Sequence, residues 1–177
     1  MAAEIIYQEV VTSRKTSLFF LALAAEALAF GTWRLQARRV GWITRIALFF
    51  GAIFSVYTIN YRELRITLDD SSLRLKFGLF SWSVPLANVA DCRLDVLQPL
   101  QRYGGAGIHF MFVDGRYRVN FNFLEHPRVV VTLVHPAGPV QEVSFSTRRP
   151  DEVIQAIHAA LELESLESER KPLKASG

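Results

Sequence analysis

Hydrophobic and polar positions divide the chain into three regimes. Residues 17–33 and 42–60 are almost continuously apolar, the pattern alternates with period two from Tyr61, and a helical stripe follows Pro150. The first run, Ser17 to Trp33, is rich in Ala and Leu, which are good helix formers. The second, Trp42 to Asn60, is of similar length. Each predicts a helix of roughly 25 Å, close to the ~30 Å hydrocarbon core of a bilayer once flanking residues extend it. Trp33 and Trp42 mark one end of the pair and Tyr57 and Tyr61 the other, as interfacial aromatic belts require. With Arg34, Arg38 and Arg39 around a short connection, the pattern predicts an antiparallel transmembrane hairpin over residues 17–60.

Residues 1–16 contain Glu4, Glu9, Arg14 and Lys15, and no small-residue cleavage pattern follows the first run. They read as an N-terminal tail that stays on the protein. Glu26 lies in the middle of that run, where a lone carboxylate is costly. A fold about residues 37–38 brings it within about one helical turn of Arg45, so either an intramembrane Glu26–Arg45 pair or a protonated Glu26 bonded to a backbone carbonyl or another subunit is expected, with a structural role. Arginine and lysine counts are equal on the two sides of the hairpin, so charge leaves its orientation nearly open.

Beyond Tyr61 the alternation predicts a β domain over residues 61–162. Leu64/Ile66/Leu68, Leu73/Leu75/Phe77 and Phe80/Trp82/Val84 each alternate with polar residues, with turns at residues 69–72 and Gly78. A further strand includes Cys92, Leu94 and Val96. Asp114-Gly115 is a strong two-residue turn signal between Ile108/Phe110/Phe112 and Tyr117/Val119/Phe121/Phe123. Strands at 129–134 and 140–145 follow, then a helix start at Pro150 with Asp151 and Glu152 and an apolar stripe of Val153, Ile157, Ala160 and Leu161. The expected fold is α+β: a transmembrane hairpin, then an antiparallel barrel or sandwich of seven or eight strands capped by a C-terminal helix. Residues 163–177, charged and poor in large apolar side chains, read as a disordered tail.

The net charge of +3 is small and evenly spread, which argues against a nucleic-acid partner. Cys92 is the only cysteine, so intrachain disulfides and thiolate metal clusters are excluded. His109, His126, His135 and His158 lack metal-motif spacing, and Gly104–Gly107 precedes a strand where a phosphate loop needs a helix. No nucleophile motif is present. The expectation is a protein with no catalytic site, no metal and no cofactor.

Four segments carry a family resemblance: Leu73–Leu79 (LRLKFGL), Val84–Val89 (VPLANV), Arg102–Ile108 (RYGGAGI) and Ser144–Glu152 (SFSTRRPDE). Together they resemble bacterial pleckstrin-homology-like (PH-like) domains over residues 61–162. The resemblance implies a domain beside paired transmembrane helices, with domain and termini in the cytoplasm. Phosphoinositide-binding relatives use basic residues in the loop after the first strand; the matching loop, residues 69–72, is acidic here.

The candidate binding surface lies on the Asp114-Gly115 hairpin. A two-residue turn places Val113 opposite Arg116, Met111 opposite Arg118 and His109 opposite Asn120. Arg116, Arg118, Asn120 and Asn122 then make a solvated, partly basic strip with Met111 and His109 beside it and Arg102 and Tyr103 nearby. Two functions fit: an interaction module docking a protein partner or another copy of itself, or a sensor binding membrane lipid through anionic headgroups.

Overall fold

A computed structural model describes residues 4–96, 106–123 and 125–170, the last four of these by backbone alone. In chain order the elements are β1 (Ile5–Thr12), α1 (Arg14–Gln36), α2 (Trp42–Asn60), β2 (Glu63–Asp69), β3 (Ser72–Phe77) and β4 (Phe80–Pro85). A short 3-10 turn (Leu86–Asn88) leads to β5 (Val89–Leu94), β6 (Gly107–Val113), β7 (Arg116–Asn122), β8 (Arg128–Ala137), β9 (Val140–Ser146) and α3 (Pro150–Arg170). Two open sheets form, β1-β2-β3-β4 and β5-β8-β9-β7-β6. The α+β class and the order of helices, sheets and final helix follow the sequence pattern.

Three expectations change. The segment read as a tail contains β1, which pairs antiparallel with β2 from Thr12↔Glu63 to Ile5↔Asp69, so the described strands number nine and form no closed barrel. β7 and β9 pair parallel, with Arg118 opposite Glu142 and Phe121 opposite Phe145. α3 runs on to Arg170, well past the Leu161 stripe, while residues 171–177 lie outside the described part.

The hairpin helices are 23 and 19 residues long, about 35 and 28 Å at 1.5 Å per residue. Ser13 caps α1, its Oγ accepting from the Thr16 backbone N–H at 3.0 Å. At the connection Arg34 Nε donates to Thr44 Oγ1 (3.1 Å), and Thr44 Oγ1 donates to the Arg39 carbonyl (2.8 Å). The helices interlock through two reciprocal Gly–Leu contacts. A Cβ on Gly31 would lie 2.6 Å from Leu48, and one on Gly51 would lie 2.6 Å from Leu28. Both helices are apolar and long enough to cross a membrane, yet only 17% and 11% of their most apolar windows are buried. That separates them from the core helices of a soluble protein, whose apolar faces are covered.

One core joins the two sheets, α3 and the domain end of the hairpin. Leu64, Ile66, Leu75, Phe77, Val119, Phe121, Val131 and Phe145 come from the sheets and Phe123 from just past β7; Val153, Ile157 and Ala160 come from α3, and Phe20 and Tyr61 from the hairpin end. Aromatic rings continue from helix to core: Phe54–Tyr57 (6.5 Å between centroids), Tyr57–Tyr61 (5.1 Å), Tyr61–Phe77 (4.9 Å) and Phe77–Phe123 (5.0 Å). These separations are those of favourable offset and edge-on contacts.

Candidate functional site

The Asp114-Gly115 turn forms with the predicted register. Asp114 and Gly115 both have positive φ (50° and 81°), as a two-residue primed turn requires, and Val113↔Arg116, Met111↔Arg118 and His109↔Asn120 pair as expected. Val119 and Phe121 enter the core, so Arg118, Asn120 and Asn122 do point to the opposite face. That face is not the solvated strip the alternation suggested. Arg118 is 3% exposed and Asn120 and Asn122 are fully buried. Arg116 is exposed and His109 and Met111 half-buried, while Arg102 and Tyr103 lie outside the described residues.

The register explains why Arg118 tolerates burial, whereas Asn120 Oδ1 and Ser144 Oγ lie buried without a hydrogen-bond partner. Parallel pairing places Arg118 beside Glu142 and Asn120 beside Ser144, while β8 brings Thr132 opposite Glu142 and Arg128 opposite Ser146. Arg118 donates through Nε (2.8 Å) and Nη2 to Glu142 Oε2. Arg93 Nη2 donates to Oε1 at 2.8 Å, and Arg116 Nη1 approaches the same oxygen at 3.4 Å. Asp95 meets Arg118 Nη1 at 3.4 Å and Arg128 Nε at 3.5 Å. Two carboxylates thus bind arginines from β5, β7 and β8 together. Burial pushes the Glu142 carboxyl up, but hydrogen bonds from Arg93 and Arg118 and both positive charges outweigh it, so it sits below its ordinary value.

A second polar cluster ties β1 to the start of α3. Buried Glu9 accepts from Tyr7 Oη (2.9 Å), Thr147 Oγ1 and the Arg148 backbone N–H (3.0 Å). Burial, then the Glu9 hydrogen bond and charge, push the Tyr7 hydroxyl up to about 12. Asp69, in the acidic loop, folds that loop by accepting from Ser71 and Ser72 and pairing with Arg74 at 2.8 Å. Burial raises its carboxyl, and the Ser71 and Ser72 hydrogen bonds with Arg74 bring it below the ordinary value. The carboxylates of Glu9 and Asp69 are thus engaged in holding the fold.

The Glu26–Arg45 pair does not form. The Gly–Leu contacts centre the hairpin near residues 39–40, so Glu26 is level with Ile53, eight residues or about 12 Å from the level of Arg45. Both side chains are exposed on the hairpin's outer surface.

Cys92 is buried, and desolvation, then the Asp91 charge, pushes its thiol up to about 12, which suppresses the nucleophilic thiolate. Among the described residues no three His, Cys, Asp or Glu side chains are grouped to hold a metal ion.

An exposed apolar surface lies on β6, a terminal strand of its sheet. Phe110 and Phe112 share a face with half-buried Tyr117, at 6.2 and 4.9 Å between centroids, and are 53% and 73% exposed. Phe110 and Phe112 share the face of core-facing Val119 yet stay uncovered by the described residues. Among the described residues no further strand pairs with β6, and the aromatics offer apolar area on the face opposite Arg116, which turns toward Glu142. The chain matches no protein-family model, no curated protein and no solved structure.

Proposed function

We propose that this is a non-catalytic interaction module of PH-like type, anchored in a membrane by α1 and α2, that docks an extended protein segment along β6. The observation that carries the docking is the terminal strand with Phe110 and Phe112 exposed beside it. Added strands gain main-chain hydrogen bonds from such an edge and specificity from alternate side-chain contacts. The anchor is supported by the uncovered apolar surface of both helices. The cytoplasmic placement of domain and termini rests on the resemblance to PH-like domains. The lipid-sensor alternative is less favoured, because Arg118 is buried against Glu142 and, among the described residues of the strip, Arg116 is the one exposed cation.

A photo-crosslinking residue at Phe112 of the full chain, in its native membrane, tests the docking. The expected product is a discrete adduct larger than the protein, absent when the crosslinker replaces exposed Gln141. Twice the protein mass identifies a second copy as the occupant. Equal crosslinking at both positions, or none at Phe112, rejects the edge as the docking site. Release of the chain by carbonate at high pH, without detergent, rejects the anchor.

A further inference from the structure

The β3–β4 turn ends against the last residue of α2. The Leu79 backbone N–H donates to Asn60 Oδ1 at 2.7 Å. Gly78, at φ 60°, lies so close that a Cβ there would fall 2.2 Å from the Asn60 carbonyl oxygen. The turn is therefore fastened to the helix end.

Its level relative to the hairpin follows from the interhelical contacts. Gly31 meets Leu48, Leu28 meets Gly51, and the Phe20 ring sits against both Tyr57 (5.5 Å) and Tyr61 (5.8 Å). Asn60 is thus level with Phe19, five residues or about 7.5 Å inside the start of α1 at Arg14. Around that level Leu18 and Phe19 of α1 and Val56 and Ile59 of α2 face outward and are exposed. From the turn Leu79 projects at 88% exposure and Phe80 at 54%. Gly78 supplies the backbone geometry of the turn, and a solvated turn has no use for large apolar residues. Behind it Arg62 and Lys76 are exposed, with Lys76 opposite Arg65 in the sheet.

We infer that Leu79 and Phe80 are a third membrane contact, seated in the interfacial layer of the bilayer that the hairpin crosses, with Arg62 and Lys76 at the level of the lipid phosphates. The inference rests on the membrane reading of α1 and α2. It adds a contact at the helix end, where continuity with the exposed apolar residues and the basic rim both favour lipid. The third contact fixes which way the domain faces from the membrane.

Depth-dependent quenching tests it on the full-length protein. Leu79→Cys, Phe80→Cys, Ile59→Cys and Asp70→Cys are each labelled with an environment-sensitive fluorophore and reconstituted into phosphatidylcholine vesicles containing some phosphatidylglycerol. Buried Cys92 is not labelled without unfolding. Lipids spin-labelled in the headgroup or acyl chain then report depth. The expected result is strong quenching at Ile59, quenching at Leu79 and Phe80 that favours the headgroup and upper-chain labels, and none at Asp70, in the turn at the far end of β2. Quenched Ile59 with Leu79 and Phe80 as silent as Asp70 overturns the third contact and leaves the anchor intact. Silence at Ile59 overturns the anchor and the contact together.

Discussion

Glu142→Gln is the sharpest test of what holds the five-stranded sheet. The substitution keeps the volume but removes the charge that Arg118, Arg93 and Arg116 share. Breaking a buried ion pair costs about 3–5 kcal/mol because the remaining charge is left in a medium that solvates it poorly. Asp95 still reaches Arg118, which argues for the lower end, about 3 kcal/mol. For a domain of this size that is a loss of roughly 10–20 °C in Tm. Arg93 and Arg116, each about half exposed, should by contrast cost under about 1 kcal/mol when changed to Gln. Acid provides a second reading. The folded-state Glu142 carboxyl is depressed from its ordinary 4.5, so its contribution is present above that pH and disappears as pH falls through the depressed value. The wild type should therefore lose stability below about pH 4.5, and Glu142→Gln should lose less over the same interval. The assay is thermal unfolding of full-length protein in detergent across pH 3–7, about the range that spans both carboxyl states. A Tm within a few degrees of wild type at pH 7, with an unchanged acid limb, would refute the claim that this cluster holds the sheet.

Gly51→Leu should separate the helices, since even a Cβ meets Leu28 at 2.6 Å; a cost of about 1–3 kcal/mol should show as lost interhelical disulfide trapping in membranes. Glu26→Gln and Arg45→Gln should act additively within about 0.5 kcal/mol, because the residues do not meet; a larger coupling energy in the double-mutant cycle would contradict the hairpin register. A chain starting at Tyr61 loses β1 and should be unstable, whereas joining Ser13 to Arg62 through a short Gly-Asn turn should give a soluble folded domain, since Thr12 and Glu63 are already cross-strand partners. A stable Tyr61-start chain would show that β1 does not belong to the sheet. Val119→Asp should unfold the β domain by burying an unpaired charge, seen as lost protease resistance.

Period and turn chemistry made most of the sheet elements legible, because the strands are short and four pairings, β2–β3, β3–β4, β6–β7 and β8–β9, join strands adjacent in sequence. β1 was not, for two reasons. Its partner lies beyond the hairpin, and its inward positions include Glu9 while Ile6 and Val10 face outward, which inverts the usual pattern. The strip on β7 shows a different gap. Alternation reveals which side a residue takes and not whether that side is covered. Signs of cover were nevertheless present: Val129, Val130 and Val131 are consecutively apolar, the mark of a strand buried on both faces. The Glu26–Arg45 pair failed because hydropathy fixes neither the rotation of a helix nor the centre of its turn; the reciprocal Gly–Leu contacts do.

The way the hairpin enters the domain constrains what the molecule can do. A flexible tether lets a domain reorient freely, but here α1 begins two residues after β1 ends, and only two residues separate α2 from β2. The two strands are hydrogen-bonded neighbours, so the helices emerge side by side from one sheet edge. The ring contacts from Phe54 through Tyr57, Tyr61 and Phe77 to Phe123 continue that connection through side chains, and Asn60 fastens the β3–β4 turn. Tilting the domain against the helices would have to break backbone pairing at Thr12↔Glu63 or separate packed aromatic rings. A change in helix angle is therefore carried into the four-stranded sheet and the shared core, rather than absorbed at a hinge.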